Sequence, residues 1–166
     1  FHGAPTNRSQ RRTIEVDAPE IVARCRADGV DVALLVANCP VCHQTLSLAA
    51  RQLEAAGIAT VVMGCAKDIV EHVGVPRFLF SDFPLGNAAG KPHDHASQAA
   101  TLELALRLLE SAPAPRTTVQ SPQRWSDSAA WKQDYCNAAR VGADELARLR
   151  SEFDAAKETV RQGTRE

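Results

Sequence analysis

One stretch decides the fold of this chain: Asp31-Val-Ala-Leu-Leu-Val-Ala-Asn-Cys39-Pro-Val-Cys42-His43. Its first half is an apolar, β-branched run that is typical of a buried strand, and it passes directly into an alanine-rich helical pattern. Pro40 suits the first helical position, so Cys39 is expected near the N-cap and Cys42 within the first turn. The stretch therefore predicts two thiols at the junction of a strand and a helix.

Strand and helix patterns alternate from there along the chain. Strands are predicted at about residues 31–37, 58–63 and 77–80, and helices at about 17–29, 40–56, 66–73 and 94–111. The strands lack the period-2 alternation of a half-exposed sheet, which favours right-handed crossovers and a sheet covered on both faces. The predicted fold class is α/β, a parallel sheet flanked by helices in a three-layer flavodoxin- or Rossmann-like arrangement, with a C-terminal helical extension.

Composition divides the chain into three parts. Residues 1–12 are polar and interrupted by glycine and proline, so they predict an irregular N-terminal tail. Residues 13–115 form the predicted α/β domain with the Cys-x-x-Cys-His loop, and residues 116–166 form the helical extension.

The extension is expected to hold two helices, one with Trp131 and Tyr135 and another that begins at about Ala143. The second helix carries a narrow apolar seam of Leu146, Leu149, Phe153, Ala156 and Val160. This seam and the segment from Trp125 to Trp131 predict docking on the chain's own domain or, alternatively, on a partner subunit.

Charge and cysteine content exclude several classes of protein. A formal net charge of -1 gives no electrostatic reason to bind nucleic acid or a membrane surface. The apolar runs are too short to span a bilayer. Five cysteines, two of them in a Cys-x-x-Cys, do not suggest a secreted disulfide framework, so a reducing cytoplasm is the expected location.

Chemically useful side chains follow each predicted strand. In open parallel sheets, ligands bind outside the carboxyl ends of the strands, so these side chains are expected to share one edge. They are Cys39, Cys42 and His43 after the first strand, Cys65 after the second, and Asp82, Gly86 and Asn87 after the third. We therefore expect the first three to be catalytic and the other four to bind substrate.

A helix start changes the chemistry of a thiol. A free cysteine has a pKa of about 8.5, which unpaired amides and the positive end of a helix dipole lower. Cys39 is thus the expected nucleophile, and His43 either stabilises a thiolate, donates a proton or is a solvated surface histidine. Cys65 faces substrate or is a small buried core thiol. Cys25 and Cys136 lie in helical patterns and are expected to be inert.

A structural metal is the alternative reading of the same residues. Zinc needs four ligands, which Cys39, Cys42, His43 and Cys65 could supply in a non-catalytic subunit or ligand-binding module. Adjacent Cys42 and His43 would, however, point to different sides of a helix, and the chain has no second Cys-x-x-Cys. Asp82 and Asn87 have turn propensity, so a purely structural role is their alternative.

Several segments in a fixed order carry a family resemblance over about residues 17–110. They are Pro19-Glu-Ile, Asp28-Gly-Val-Asp31-Val-Ala-Leu-Leu, the Cys39-Pro-Val-Cys42-His43 loop, Leu53-Glu-Ala-Ala-Gly-Ile58-Ala-Thr, Val75-Pro-Arg77 and Pro84-Leu-Gly86-Asn-Ala-Ala-Gly90-Lys-Pro92. Together they resemble the selenoprotein B component of glycine, sarcosine, betaine and D-proline reductases. In that family the position of Cys39 is often selenocysteine, and sulfur is a weaker nucleophile and leaving group.

The resemblance implies reductive cleavage of a carbon–nitrogen bond α to a carboxylate. A pyruvoyl-bearing partner subunit would hold the amino substrate, Cys39 would attack the α-carbon, and Cys42 would resolve the intermediate. A protein dithiol would then return the electrons. No cofactor is expected in this chain, which lacks a Gly-x-Gly-x-x-Gly and a P-loop, so an oligomer of several subunits is expected.

Overall fold

The computed structural model describes residues 9–134 and 137–163. Residues 1–8 of the predicted tail, Tyr135 and Cys136 lie outside the described residues, and so does the side chain of Val160. Contacts divide the chain into two compact units, one ending at Trp125 and one beginning at Ser126. None of the helices within the described ranges is long and apolar enough to cross a membrane.

The first unit is built on a four-stranded parallel sheet. Its strands are β1 (Val32–Val36), β2 (Ala59–Gly64), β3 (Arg77–Phe80) and β4 (Thr117–Gln120), in the spatial order β1-β2-β3-β4. The flanking helices are α1 (Gln10–Arg12), α2 (Ala18–Ala27), α3 (Pro40–Ala55), α4 (Lys67–Val73) and α5 (His95–Ser111). The predicted α/β fold class is confirmed, including the C-terminal helix α6 (Ala143–Gly163).

The N-terminal residues differ from the predicted irregular tail. Gln10–Arg12 are helical because the Ser9 side chain accepts the backbone N–H of Arg12 and caps the turn. A π-helical turn, Thr13–Asp17, joins this short helix to α2. Helical structure therefore begins before the boundary at residue 12 that the composition indicated.

β4 also differs from the prediction, which assigned its residues to the extension. Thr117–Gln120 pair with β3, with Phe78 opposite Thr118, so the sheet continues beyond Pro113 and Pro115. The β-branched Thr117-Thr118-Val119 run suits a strand, but a polar run of this length carries little hydrophobic signal. In the second unit, the predicted helix around Trp131 is a short 3₁₀ helix, Ala129–Gln133, capped by the Ser128 hydroxyl.

Two apolar clusters occupy opposite faces of the sheet. Leu35, Val62 and Phe78 pack with residues of α2, α3 and α4. Val61, Met63 and Leu79 pack on the other face with Ala105 and Leu108 of α5. The strand order runs in one direction while α5 lies opposite α3 and α4. The β3–α5–β4 crossover, which the sequence did not predict, therefore has the opposite hand to the two before it.

Coverage of the sheet is unequal at β1. The helix α5 packs on β2 and β3, and Val32, Leu34 and Val36 on its side of β1 remain exposed. Within the described ranges, β1 pairs only with β2, so it is an edge strand. The predicted covering on both faces thus applies to β2 and β3.

Candidate functional site

The Cys-x-x-Cys lies between the end of β1 and the first turn of α3. Cys39 is the N-cap residue, in extended backbone conformation, and its sulfur accepts the backbone N–H of Cys42 at 3.2 Å. Pro40 occupies the first helical position, where the missing N–H costs no hydrogen bond. The helix start therefore holds both thiols at the carboxyl edge of the sheet, in the arrangement that the spacing predicted.

The two thiols are in direct contact. Their Sγ atoms lie 2.7 Å apart, compared with about 2.05 Å in a disulfide bond. Both side chains are half-buried, and both cysteines are in the free form. Only a small movement of the two side chains would be needed to join the sulfurs in a disulfide bond.

The surroundings shift the pKa values of the two thiols in opposite directions. Burial raises the pKa of the Cys39 thiol, but hydrogen bonds from the Cys42 thiol and from backbone amides of the first turn outweigh it, and the pKa falls below its ordinary value. Burial, the hydrogen bond to Cys39 and the charge of Cys39 together raise the pKa of Cys42. These opposite shifts favour ionisation of Cys39 over Cys42, with the Cys42 thiol as the hydrogen-bond donor to the Cys39 sulfur.

His43 is fully buried, with 0% of its surface exposed. Its Nδ1 lies 2.7 Å from the Cys39 carbonyl oxygen, and its Nε2 accepts the backbone N–H groups of Cys65 at 2.9 Å and Ala66 at 3.1 Å. Because a carbonyl only accepts, Nδ1 carries the proton and the ring is neutral. Burial lowers the pKa of His43, which favours that neutral form.

Both ring nitrogens of His43 are therefore engaged with backbone groups. The described contacts give neither nitrogen a thiol partner, so this geometry does not match the predicted role as a proton donor or thiolate partner. A solvated surface position is wrong as well, since burial is complete. Adjacent Cys42 and His43 lie on different sides of the helix, as expected from their spacing.

Cys65, in the loop after β2, contacts the loop after β3 through its thiol. Burial raises the pKa of its thiol to about 11, against hydrogen bonds from the backbone of Phe83 and Asn87, and the charge of Asp82 raises it further. The Cys65 thiol is therefore protonated at neutral pH. The predicted substrate-binding residues Cys65, Asp82 and Asn87 thus meet at one place, beside the loop that His43 contacts.

Gly86 and Asn87 shape the third loop. Gly86 has a φ of +95°, a left-handed conformation that favours glycine. The backbone N–H and the Nδ2 of Asn87 both donate to the Pro84 carbonyl, at 3.2 and 3.1 Å. These two bonds form a turn, which is the structural role that the sequence offered for Asn87 as an alternative to substrate binding. They also fix the segment whose backbone contacts the Cys65 thiol.

Two neighbours of the predicted residues received no role from the sequence. A Cβ at Gly64 would lie 2.7 Å from His43 Cδ2 and 2.9 Å from Nε2, so the imidazole occupies the space a side chain would need. Ser81, directly after β3, is completely buried, and its hydroxyl has no hydrogen-bond partner. A glycine that ends a buried strand is a weak signal, and its close approach to His43 depends on the tertiary fold.

The four residues of the metal alternative do not form a ligand set. In the part of the chain that the structure describes, no three His, Cys, Asp or Glu side chains are grouped so that they could hold a metal ion. A metal would bind His43 through the lone pair of Nε2, but that lone pair accepts hydrogen bonds from two backbone amides. Metal binding there would require these bonds to break.

One curated relative is similar to this chain: the D-proline reductase subunit gamma of Acetoanaerobium sticklandii, 29% identical over 116 residues. The aligned part covers 70% of this chain and 48% of the relative, so the chain spans about half the length of the curated relative it matches. No family model matches the chain, and no solved structure matches it. The resemblance that the sequence indicated is thus supported by a curated protein: the chain is similar to a subunit of a D-proline reductase.

Proposed function

We propose that this chain is a subunit of a thiol-dependent reductase in which Cys39 is the nucleophile and Cys42 the resolving thiol. The observation that carries the proposal is the 2.7 Å contact between the two sulfurs at a helix start, with the pKa lowered at Cys39 and raised at Cys42. The curated relative is named as a reductase subunit, which supports the same reaction class.

The proposed reaction is reductive cleavage of a carbon–nitrogen bond α to a carboxylate. The Cys39 thiolate forms a bond to the α-carbon, and the electron pair of the broken C–N bond leaves on nitrogen, which takes up a proton. Cys42 then attacks the Cys39 sulfur as a thiolate and forms the disulfide. The carbon leaves with the S–C electron pair and gains a proton, so the dithiol supplies two electrons.

Two partners complete the proposed cycle. A pyruvoyl-bearing subunit binds and prepares the amino substrate, and a protein dithiol reduces the Cys39–Cys42 disulfide by exchange. Cys65, Asp82, Gly86 and Asn87 are proposed to contact substrate at the same edge of the sheet. Thiol chemistry of this kind suits a reducing compartment, and we propose the cytoplasm.

A trapping experiment tests the assignment of the two thiols. With the Cys42→Ser variant, substrate and the partner subunit, intact mass should show a covalent adduct on Cys39, because the resolving thiol is missing. The Cys39→Ser variant should give no adduct, and Cys25→Ser should turn over as the parent protein does. An adduct that forms equally in Cys39→Ser would rule out Cys39 as the nucleophile.

A further inference from the structure

His43 links two separate pieces of backbone at the candidate site. Its Nδ1–H donates to the carbonyl of Cys39, the residue that carries the low-pKa thiol. Its Nε2 accepts both amides that follow β2, those of Cys65 and Ala66. One buried side chain therefore ties the start of α3 to the loop after the neighbouring strand.

The space around the ring is matched to this arrangement. Gly64 leaves room for the imidazole, since a Cβ there would lie 2.7 Å from His43 Cδ2 and 3.2 Å from Phe78 Cε2. The ring itself has no exposed surface. The amides of Cys65 and Ala66, two half-buried residues, share this one acceptor, and each would cost free energy if that acceptor were lost. The ring is thus held in a single orientation by three hydrogen bonds and by packing.

We propose that His43 is a positioning residue for the dithiol. By tying the Cys39 carbonyl to the amides of Cys65 and Ala66, it keeps Cys39 in its N-cap conformation, with the first-turn amides directed at the sulfur. It acts through Cys39 and does not touch substrate. The inference deepens the proposed function, on which it rests for its meaning, but its test needs neither substrate nor partner.

Two substitutions separate the bonds that His43 makes. In His43→Gln, Oε1 can reach the place of Nε2 and accept the two amides, whereas the shorter side chain of His43→Asn cannot. His72→Gln is the matched control, because His72 lies exposed on α4. Each purified, folded variant is equilibrated with reduced and oxidised glutathione, and Cys39 alkylation is followed across pH by peptide mass.

Loss of the acceptor should loosen the N-cap and change both measurements. For His43→Asn we expect the Cys39–Cys42 disulfide equilibrium to weaken about tenfold, because the sulfurs are less well aligned. Its alkylation profile should also shift to higher pH. His43→Gln, which keeps the acceptor but lacks the Nδ1–H donor, should give values between those of His43→Asn and the parent protein, and His72→Gln should match the parent protein. A folded His43→Asn with parental values, or a His43→Gln no better than His43→Asn, would overturn the proposal.

A measurement on the parent protein covers the case in which His43→Asn does not fold. Nitrogen-15 NMR of the ring should show a neutral imidazole with the proton on Nδ1. The amide protons of Cys65 and Ala66 should show coupling across their hydrogen bonds to Nε2. A proton on Nε2 would contradict the proposal. Failure of the Cys39 trapping experiment would instead remove the reductase function and leave these results unaffected.

Discussion

At the scale of single residues, Cys39 and Cys42 differ although three positions of one helix start separate them. Cys39 lies at the N-cap, and hydrogen bonds from the thiol and amide of Cys42 lower its pKa. Burial, the hydrogen bond to Cys39 and the charge of Cys39 raise the pKa of Cys42. The nucleophile has to be ionised in the first step, whereas the resolving thiol has to be ionised only in the second. The difference between the two pKa values therefore matches the order of the proposed steps.

The first prediction concerns the ionisation of Cys39. Because the pKa of Cys39 is lowered, its thiolate fraction at mildly acidic pH exceeds that of an ordinary thiol, and as the pH is raised Cys39 ionises before an ordinary thiol does. In the reduced protein, iodoacetamide should therefore label Cys39 faster than Cys25 at about pH 6.5, as read by peptide mass. Equal labelling rates for the two cysteines at that pH would disprove it.

The second prediction is a reversible disulfide between Cys39 and Cys42. Since their sulfurs are already 2.7 Å apart, mild oxidation should remove two of the five free thiols, and a thioredoxin-type reductant should restore them. Cys25→Ser should leave this pair unchanged, whereas Cys42→Ser should lead to intermolecular adducts of Cys39. Five free thiols after oxidation would speak against any redox use of the pair.

Sequence alone predicted the position of Cys39 but not the contacts of His43. The N-cap position follows from local rules, because Pro40 fixes where the helix starts. The imidazole of His43 meets amides that lie 22 and 23 residues away in the chain. Such a contact depends on how β1 and β2 pair, and that register is set by the whole core.

At the scale of elements, α3 is fixed at both ends. Its start carries the thiols and His43, and near its end Glu54 Oε1 accepts the amide and hydroxyl of Thr60 and the guanidinium of Arg77 at 2.8 Å. Glu54 thereby joins α3 to β2 and β3. Because both strands end in loops of the candidate site, this cluster helps to set where the thiols lie relative to those loops.

The third prediction tests that cluster. Glu54→Ala should lower the free energy of unfolding by about 2–4 kcal/mol, because a half-buried arginine and a strand amide lose their acceptor. Glu103→Ala is the matched control, since Glu103 pairs with Arg107 on the exposed side of α5 and should cost at most about 0.5 kcal/mol. Urea denaturation of both variants gives the comparison, and equal losses would contradict the assigned role.

Elements with a strong apolar or helical pattern were predicted well, and β4 was not. The predicted strands and helices around the Cys-x-x-Cys match β1, β2, β3 and α3 closely, because each is bounded by glycine or proline. β4 is short, rich in threonine and preceded by two prolines, which locally favour a loop. Pairing with Phe78 and Leu79 of β3, which no local pattern reveals, makes it a strand.

At the scale of the whole molecule, the dithiol at the sheet edge performs only part of the proposed reaction, which also needs an activated amine and a source of electrons. Within the described residues, the apolar seam of α6 has Leu146, Leu149 and Phe153 exposed, at 48%, 43% and 64%. Its docking role, on the chain's own domain or on a partner subunit, stays a prediction. The proposed function makes this chain one subunit of a larger reductase, with the seam as a candidate surface for contact with another subunit.

The fourth prediction follows from the proposed division of the reaction between subunits. The purified chain with dithiothreitol and D-proline should show no multiple turnover, because substrate activation is proposed to reside in a pyruvoyl-bearing partner. Addition of that partner should produce activity, which the Cys39→Ser variant should lack. Product formation is measured by mass spectrometry. Sustained turnover by the single chain with dithiothreitol would refute the division of labour.

The uncovered side of β1 has a consequence for how the first unit opens. Ser97 and Thr101 of α5 are buried and contact Gln123 beyond β4, whereas Leu102 and Leu106 of the same helix are not buried. Those leucines are exposed at 44% and 46%, and the outward amides of β1 have no neighbouring strand among the described residues. In hydrogen exchange, these amides should therefore lose their protons first, while the central amides of β2 and β3 retain theirs until the whole unit unfolds.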